Sequence, residues 1–329
     1  MRFGIIGTNF ISDAFANALA PADACATAVY SRKKETGRAF AEKHGISHVF
    51  DDMEAFLSSP LFDAVYVASP NFLHEAQSIA ALNHGKHVLC EKPIAPSLAG
   101  FRRMQAVAQE KGLVLMEAMR PYHDSLWDVA KNEMLPLLNG IRKATLSFCQ
   151  YSSRYDKFLA GEYTNTFDPA LSNAALLDIG IYPVAAAVMI FGEPRAVSAE
   201  SVFLANGFEG EGRLLLDYGD TAVTVIYSKI RNDSAPSVFE NGDCKVTVNK
   251  ISQPARVAFL HKEKEEFALS SRHGGEFNNM SEEVMDFSYA VKKKNLTPYH
   301  AESAMALRIC DEARRQTGIR FPSDEEVFL

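Results

Sequence analysis

Near its start the chain reads Phe3-Gly4-Ile5-Ile6-Gly7-Thr8-Asn9-Phe10-Ile11-Ser12. The apolar run ends at Gly7, and a helical pattern follows from Ile11 to Leu19. A strand that turns at a glycine into a helix is typical of a dinucleotide-binding domain, whose fingerprint is G-x-G-x-x-G. Only the first of these glycines is present. We predict that Asn9 replaces the second by adopting positive φ, and that Ser12 is small enough for close helix packing. An ordinary strand-to-helix turn is the alternative.

The first half of the chain alternates strand-like and helix-like segments. Such alternation predicts a parallel sheet with right-handed helical crossovers. The predicted strands are residues 3–6, 26–30, 49–50, 64–67, 88–90 and 113–116, and the predicted helices are residues 11–19, 34–44, 72–84 and 98–111. We therefore predict an α/β, doubly wound Rossmann domain over residues 1–119.

The second half has a different pattern. A helix is predicted over residues 125–138 and an apolar helix over 174–191. The predicted strands are residues 141–151, 197–204, 212–217, 222–228, 244–248, 255–259 and 266–269, most of them short and separated by Gly, Asp and Asn. Helical patterns return at 280–292 and 301–317. These features predict an α+β domain over residues 120–329, with a large open mixed or antiparallel sheet flanked by helices. The C-terminal helix is predicted to pack either within this domain or back on the first domain.

Composition argues against several classes of protein. The 329 residues carry a formal net charge of −7, which offers no electrostatic basis for binding nucleic acid or an anionic membrane. The longest apolar stretch, Val184–Phe191, is far shorter than the ~20 residues of a membrane-spanning helix. Five cysteines are scattered without paired spacing, so we predict no metal site and a reducing, cytoplasmic location.

The end of the second predicted strand, Tyr30-Ser31-Arg32-Lys33, indicates which dinucleotide binds. NAD-binding domains usually carry an acidic residue here for the ribose 2′-hydroxyl. A carboxylate would repel a 2′-phosphate, whereas a guanidinium binds one through a fork of donors. We therefore predict NADP, with NAD as second choice, bound by Ser31, Arg32 and Arg38. A solvated basic loop is the alternative.

Polar residues also follow the fourth and fifth predicted strands. Doubly wound sheets bind ligands at the carboxyl ends of their strands, so these residues are candidate cofactor contacts. After the fourth strand they are Ser69, Pro70, Asn71 and His74, and capping of the next helix is an equal alternative for Asn71. After the fifth strand, Glu91-Lys92-Pro93 places a lysine at the crevice.

Four segments occur in an order and at a spacing that resemble one family. They are Gly4-Ile5-Ile6-Gly7, Ala68-Ser69-Pro70-Asn71, Glu91-Lys92-Pro93 and Asp178-Ile179-Gly180-Ile181-Tyr182-Pro183. With these segments the whole chain resembles the glucose–fructose oxidoreductase/inositol dehydrogenase/MocA (Gfo/Idh/MocA) superfamily. The resemblance implies a dehydrogenase or reductase that moves a hydride between a nicotinamide and a carbonyl or alcohol carbon. The implied substrate is a sugar, polyol, diol or similar small molecule.

The resemblance also implies a catalytic set made of Lys92, Asp178 and Tyr182. Asp178 and Tyr182 are four residues apart, which places them on one face of a helix. The tyrosine is similar to that of the dihydrodiol dehydrogenase-like members and differs from the histidine of inositol dehydrogenases. We expect Tyr182 to donate the proton, with Lys92 either assisting the phenol or polarising the carbonyl.

Further contacts follow from the same resemblance. The phosphate loop and its neighbours are expected to hold the cofactor through Gly7, Thr8, Asn9, Phe10, Ile11, Glu91 and Lys92. Arg120, Tyr122 and His123 are expected to face the substrate, and a structural role is the alternative for His123. Where family members often have glycines ahead of the Asp, this chain has Asn173, a candidate substrate contact.

Two other functions stay open at this point. One is a glycosidase of the same fold that retains NAD and cleaves through transient oxidation, and Arg32 argues against it. The other is a non-catalytic NADP-binding regulator, and the joint presence of Lys92, Asp178 and Tyr182 argues against it. The large predicted sheet provides a face for self-association, so we expect a homodimer or homotetramer.

Overall fold

The computed structural model describes residues 1–271, 279–322 and 324. The chain divides into two compact units. The first comprises Met1–Met119 and Gly275–His300, and the second comprises Arg120–Gly274 and Ala301–Leu329. Within the described ranges, no helix combines the length and apolar character that crossing a membrane requires.

The first unit is built on a parallel sheet. Its strands are β1 (Arg2–Ile6), β2 (Cys25–Tyr30), β3 (His48–Phe50), β4 (Ala64–Val67), β5 (His87–Glu91) and β6 (Leu115–Ala118). Among the described residues they form a six-stranded sheet in the order β3-β2-β1-β4-β5-β6, with every pair parallel. The strand order reverses between β1 and β4, where doubly wound sheets bind ligands. The predicted Rossmann fold is confirmed.

Helices connect these strands, and two of them end at a glycine. They are α1 (Phe10–Leu19), α2 (Lys34–His44), α3 (Met53–Leu57), α4 (His74–Asn83) and α5 (Leu98–Lys111). Gly45 ends α2 and Gly112 ends α5, both in the left-handed conformation that closes a helix without a Cβ penalty. Ser97 begins α5 by accepting a hydrogen bond from the amide of Gly100 at 3.3 Å. The predicted bounds of α2 and α5 are therefore the observed ones.

The second unit is built on a mixed sheet. Its strands are β7 (Lys143–Cys149), β8 (Ala196–Phe203), β9 (Glu209–Asp217), β10 (Ala222–Ser228), β11 (Ser237–Asn241), β12 (Cys244–Asn249), β13 (Arg256–His261) and β14 (Lys264–Ser270). Among the described residues they form an eight-stranded sheet in the order β14-β13-β12-β11-β7-β10-β9-β8. Only the β7–β10 pair is parallel within that part of the chain. The predicted large mixed sheet is confirmed.

The helices after β6 differ in character from those of the first unit. They are α6 (Ser125–Val129), α7 (Tyr155–Leu159), α8 (Ile181–Phe191), α9 (Met280–Lys293) and α10 (His300–Thr317). α8 packs on β7 and β10. α9 belongs to the first unit, where Met280, Val284 and Phe287 join the core around Phe3 and Phe15. Their spacing of four and then three residues places all three on one face of α9.

Two predicted helices are not regular α-helices. The segment predicted over 174–191 begins with a π-helical turn, Leu176–Gly180, which leads directly into α8. The segment predicted over 125–138 is α6, a π-helical turn at Ala130–Met134 and a 3-10 turn at Leu135–Leu138. Both kinds of turn keep a helix-like spacing of side chains, so a periodic pattern does not distinguish them from an α-helix.

Three short elements were missed by the sequence analysis. α3 and α7 have five residues each, and β11 also has five. Five residues span little more than one helical turn, so their apolar positions define no period. β11 carries Glu240 and Asn241, whose polar side chains are typical of turns rather than of a strand.

Candidate active site

Gly7 forms the turn between β1 and α1. Its φ is +105°, and a Cβ there would lie 2.6 Å from the carbonyl oxygen of Ala68, so only glycine fits. Asn9 has a φ of −88°, and the prediction that it adopts positive φ is wrong. It caps α1 instead, because its Oδ1 accepts from the amides of Ile11 at 3.0 Å and Ser12 at 3.2 Å. Ser12 is fully buried, as close packing of a small residue requires.

The turn at Gly7 fits the diphosphate of a dinucleotide. Asn9 Nδ2 donates to the carbonyl of Ala68 at 2.8 Å, which ties the carboxyl ends of β1 and β4 together. Thr8 is half-buried in the turn, and Phe10 is exposed at its end. The positive end of α1 favours an anion here. Because Asn9 already takes the amides of Ile11 and Ser12, we expect the diphosphate to contact the turn that precedes the helix.

The end of β2 fits a 2′-phosphate. Ser31 is buried, and its Oγ shares a hydrogen bond with Oγ1 of Thr36 at 2.8 Å, so this hydroxyl holds the loop in place. Arg32 and Arg38 are exposed. Among the residues that the structure describes, no hydrogen bond or ion pair engages either guanidinium. Both cations are therefore available to an anionic ligand.

His74 joins the loops that follow β4 and β5. It is buried, with Nδ1 2.8 Å from the carbonyl oxygen of Pro93 and Nε2 2.8 Å from that of Ser69. Burial lowers the pKa of His74, whereas donation to two carbonyls at once needs the imidazolium. The imidazolium donates to both carbonyls and so links the two loops, whereas the neutral ring has one N–H and donates to only one of them. Its contact with the cofactor stays a prediction, as does that of Ser69 and Pro70.

Asn71 does not cap a helix. It is the first residue of a 3-10 turn, Asn71–Leu73, that precedes α4, and neither this turn nor α4 has a side-chain cap. The alternative prediction for Asn71 is therefore wrong. A cofactor contact, for which its half-buried position leaves room, stays a prediction.

Lys92 follows β5 in a loop whose main chain is held on both sides. Its amide donates to Glu91 Oε2 at 3.2 Å, and the hydroxyl of Tyr66 donates to the other oxygen of Glu91. Glu117 Oε1 accepts from the amide of Ile94 at 2.9 Å. Glu91 and Glu117 are buried, whereas Lys92 is half-buried. Glu91 thus supports the loop that presents Lys92, and its direct contact with a cofactor stays a prediction.

In the second unit, Tyr182 lies at the start of α8 and accepts a hydrogen bond from Arg120. The distance from Arg120 Nη2 to Tyr182 Oη is 3.2 Å, and the guanidinium lies 5.5 Å from the ring centroid. Arg120 Nη1 donates to Gln253 Oε1 at 3.2 Å. Arg120 and Tyr182 are both buried. A guanidinium can only donate, so the phenol must direct its own proton elsewhere.

Asp178 lies in the π-helical turn before α8 and forms an ion pair with Lys229. The Lys229 side chain is 5% exposed, and that of Asp178 is 36% exposed. Sequence analysis missed Lys229, although a signal was present: it directly follows the predicted strand 222–228, as Lys92 follows β5. The same sequence signal, a lysine directly after a strand, therefore marks both Lys92 and Lys229.

The remaining predicted substrate contacts lie in three different settings. Tyr122 and His123 are buried in and after the short 3-10 turn Arg120–Tyr122. Asn173 donates from Nδ2 to the carbonyl of Asn165 at 2.7 Å, which orders the loop ahead of the π-helical turn. Their contacts with substrate stay predictions. Within residues 1–271, 279–322 and 324, no group of three or more His, Cys, Asp or Glu side chains is placed to hold a metal ion.

Comparisons with known proteins define the class. Residues 1–119 match the model of the Gfo/Idh/MocA oxidoreductase family with an NAD-binding Rossmann fold. Residues 141–240 match a Gfo/Idh/MocA C-terminal domain. The protein is thus a nicotinamide-dependent oxidoreductase, as predicted.

Full-length relatives define the family. The chain is 38% identical to an NADP⁺-dependent scyllo-inositol 2-dehydrogenase of Bacillus subtilis, over 99% of both chains. It is 27% identical to the trans-1,2-dihydrobenzene-1,2-diol dehydrogenase of Sus scrofa, again over 99% of both. The chain belongs to the Gfo/Idh/MocA family, and the predicted family, enzyme class and nicotinamide cofactor are confirmed.

Solved structures agree at the level of fold. A 3-ketoreductase from Actinomadura kijaniata, in complex with NADP and TDP-benzene, has a TM-score of 0.83 and 24% identity over 98% of each chain. A levoglucosan dehydrogenase with NADH and levoglucosan has a TM-score of 0.85 and 18% identity over 97% of each chain. Both likenesses extend over the two units of the chain.

Proposed function

We propose that the protein is an NADP-dependent dehydrogenase of cyclic polyols or vicinal diols, with Tyr182 as the proton donor and acceptor. The observation that carries this proposal is the buried Tyr182 hydroxyl, which accepts from Arg120 and lies four residues from the ion-paired Asp178. The full-length relatives that act on an inositol and on a dihydrodiol support the substrate class.

The bound nicotinamide supplies or accepts the hydride. As a carbonyl carbon receives hydride, its oxygen gains negative charge and needs a proton from a group within hydrogen-bond reach. Tyr182 provides that proton, because its hydrogen points away from Arg120. Asp178 accepts a hydrogen bond from a neighbouring substrate hydroxyl, which suits a diol. Lys92 stabilises charge on the reacting oxygen.

A substrate panel tests this proposal. Cyclic polyols, vicinal diols, sugars and small carbonyls are incubated with NADP⁺ or NADPH, and the change in NADPH absorbance is followed. We expect turnover of cyclic polyols or diols that exceeds turnover of isolated alcohols. Tightly retained NAD with no net absorbance change on any compound would contradict the proposal and favour the glycosidase alternative.

Arg32 is proposed to select NADP over NAD. Loss of hydrogen bonds to a charged phosphate costs about 1.5–3 kcal/mol, which corresponds to about 10- to 100-fold in affinity. We therefore expect Arg32→Ala to raise the KM for NADPH by about that factor while the KM for NADH stays within about twofold. Arg102→Ala, which removes an exposed cation from α5, is the matched control. Equal KM values for NADPH in Arg32→Ala and the unmodified enzyme would refute the assignment.

The exposed face of the second sheet is proposed to form a homodimer. Leu215 on β9 is 46% exposed, although its neighbours Leu214 and Leu216 are buried, and Val202 on the adjacent strand β8 is 51% exposed. Apolar side chains exposed on neighbouring strands of one sheet are typical of protein interfaces. We expect light scattering to show a dimer that Leu215→Lys dissociates, whereas Tyr289→Lys on α9 leaves it intact. A monomeric unmodified protein would contradict this. None of the five cysteines, all of which lie in the described residues, forms a disulfide, which supports the proposed cytoplasmic location.

A further inference from the structure

Lys229 is a buried cation that the proposed chemistry does not use. Its ammonium pairs with the carboxylate of Asp178 and lies 5.5 Å from the ring centroid of Phe167 and 5.8 Å from that of Phe208. Taking an ammonium out of water is costly unless an anion and polarisable rings replace the lost hydration. Placing the positive charge of Lys229 against Asp178 therefore costs the folded protein some stability.

Glu209 is a buried acid that holds the start of the same π-helical turn. It is 1% exposed, and its Oε2 accepts from the amide of Leu176, the first residue of the turn, at 2.9 Å. This side chain reaches the turn from β9 and serves as its N-terminal cap, since no neighbouring side chain caps it. A carboxylate in this position also interacts favourably with the positive end of a helix.

Tyr227 on β10 holds the end of the turn. A Cβ on Gly180 would lie 2.9 Å from the Tyr227 ring, and one on Gly212 would lie 2.2 Å from its hydroxyl. The ring is thus enclosed by the turn on one side and by β9 on the other, which leaves little freedom for either. Glu209, Lys229 and Tyr227 therefore hold the turn at its first residue, at Asp178 and at its last residue.

We propose that Lys229 is the positioning residue for Asp178, and that Glu209 supports it by fixing the turn from which Asp178 projects. This inference rests on the proposed function of Asp178 as the partner of a substrate hydroxyl. An aspartate on a helix can adopt several rotamers, and an ion pair with a buried, immobile ammonium selects one of them. Lys229 acts on substrate only through Asp178.

The charge state of Glu209 adds a pH dependence to this arrangement. Burial raises the pKa of Glu209 to about 7, and the amides of Leu176 and Ala175, Tyr227 and Lys229 oppose that rise. The groups that face this cluster are Lys229, Asp178 and Tyr227, with Ser201 and Cys310 next to Tyr227. When Glu209 ionises, Lys229 has a second anion to attract it, and its hold on Asp178 weakens.

A double-mutant cycle tests the positioning role. We expect Lys229→Met to lower kcat/KM for the polyol by about 10- to 100-fold, with the Kd for NADPH unchanged, and Lys229→Arg to restore a large part of the loss. In an Asp178→Asn background, the same Lys229→Met change should cost less than about threefold, because contacting residues that act together are non-additive. Full additivity, or an unaltered kcat/KM in Lys229→Met, would overturn the inference.

The double variant also guards against a folding artefact. Lys229→Met removes one charge of the ion pair with Asp178, whereas Lys229→Met with Asp178→Asn removes both charges of that pair. Comparable melting temperatures for the two variants would show that the loss of activity in Lys229→Met comes from lost positioning and not from unfolding. If the unmodified enzyme and Asp178→Asn have equal activity, the proposed role of Asp178 fails. If Asp178→Asn is impaired and the effects are additive, only the positioning inference fails.

Glu209→Gln provides a readout that does not depend on activity. A folded-state pKa above the unfolded value means that the folded protein binds more protons, so stability is present at low pH and lost as pH rises through about 7. We expect the unfolding free energy of the unmodified protein to fall between pH 5 and 8 and that of Glu209→Gln to be flatter there. The kcat/KM profile should lose an inflection near pH 7 in the same variant. Identical pH profiles of stability and of kcat/KM for both proteins would contradict the role of Glu209.

Discussion

Replacement of Tyr182 by phenylalanine should lower kcat by about 10²- to 10⁴-fold, the range attributed to a positioned acid or base. The variant keeps the ring and removes only the hydroxyl that accepts from Arg120 Nη2 at 3.2 Å. The substrate oxygen then has no group in this position to exchange a proton with. NADPH binding should be unchanged, because the proposed cofactor contacts lie in the first unit. Stopped-flow turnover and a fluorescence titration with NADPH measure the two quantities.

The control for this variant must also lose a tyrosine hydroxyl that makes a hydrogen bond. Tyr218→Phe does so, since Tyr218 donates to the carbonyl of Gly192 at 3.1 Å far from the proposed chemistry in sequence. Each variant leaves one hydrogen-bonding partner unsatisfied, at a cost of about 1–3 kcal/mol in stability. Near-normal kcat in Tyr182→Phe, or an equal loss in Tyr218→Phe, would show that the phenol of Tyr182 is not the proton donor.

Replacement of Lys92 by alanine should lower kcat by about 10²- to 10³-fold, the effect of removing one group that stabilises developing charge on an oxygen. The main chain around Lys92 is fixed by Glu91, Glu117 and His74, so the loop is expected to keep its shape when the side chain is shortened. The loss should therefore fall on kcat rather than on folding. Rapid-mixing kinetics of NADPH oxidation, together with the melting temperature, measures both.

Two further variants make the Lys92 experiment decisive. Lys111→Ala removes an exposed lysine from the end of α5 and should leave kcat unchanged. Lys92→Arg keeps a positive charge but replaces a compact ammonium by a wide planar fork, so it should recover only part of the activity. Full activity in Lys92→Ala would exclude this lysine from the reaction.

Much of the first unit was accessible from sequence because its determinants are local. α2 ends at Gly45, and α5 begins at Ser97 and ends at Gly112, all of which directly adjoin their helix, and the predicted bounds of both helices match the observed ones. Gly7 was recognised because it lies between an apolar run and a helical pattern, where the fingerprint has its first glycine, and its positive φ shows why a glycine is needed there. Asn9 shows the limit of the same reasoning. Both positive φ and helix capping suit asparagine, and the choice between them depends on the carbonyl of Ala68, 59 residues away.

In the candidate site, too, some features follow from local sequence and others depend on contacts between distant residues. The sequence by itself determined the family, the parallel sheet, the mixed sheet and the residues Lys92, Asp178 and Tyr182, because these depend on motif order and on short-range pattern. The partners of those residues came from tertiary structure. Arg120 meets Tyr182 across 62 residues of chain, and Lys229 meets Asp178 across 51. No local pattern encodes such pairs. The first exists only once the turn Arg120–Tyr122 contacts α8, and the second only once the end of β10 lies against the π-helical turn. Sequence motifs thus suffice to propose which groups carry the chemistry, whereas the folded second unit sets which charges face Asp178 and Tyr182.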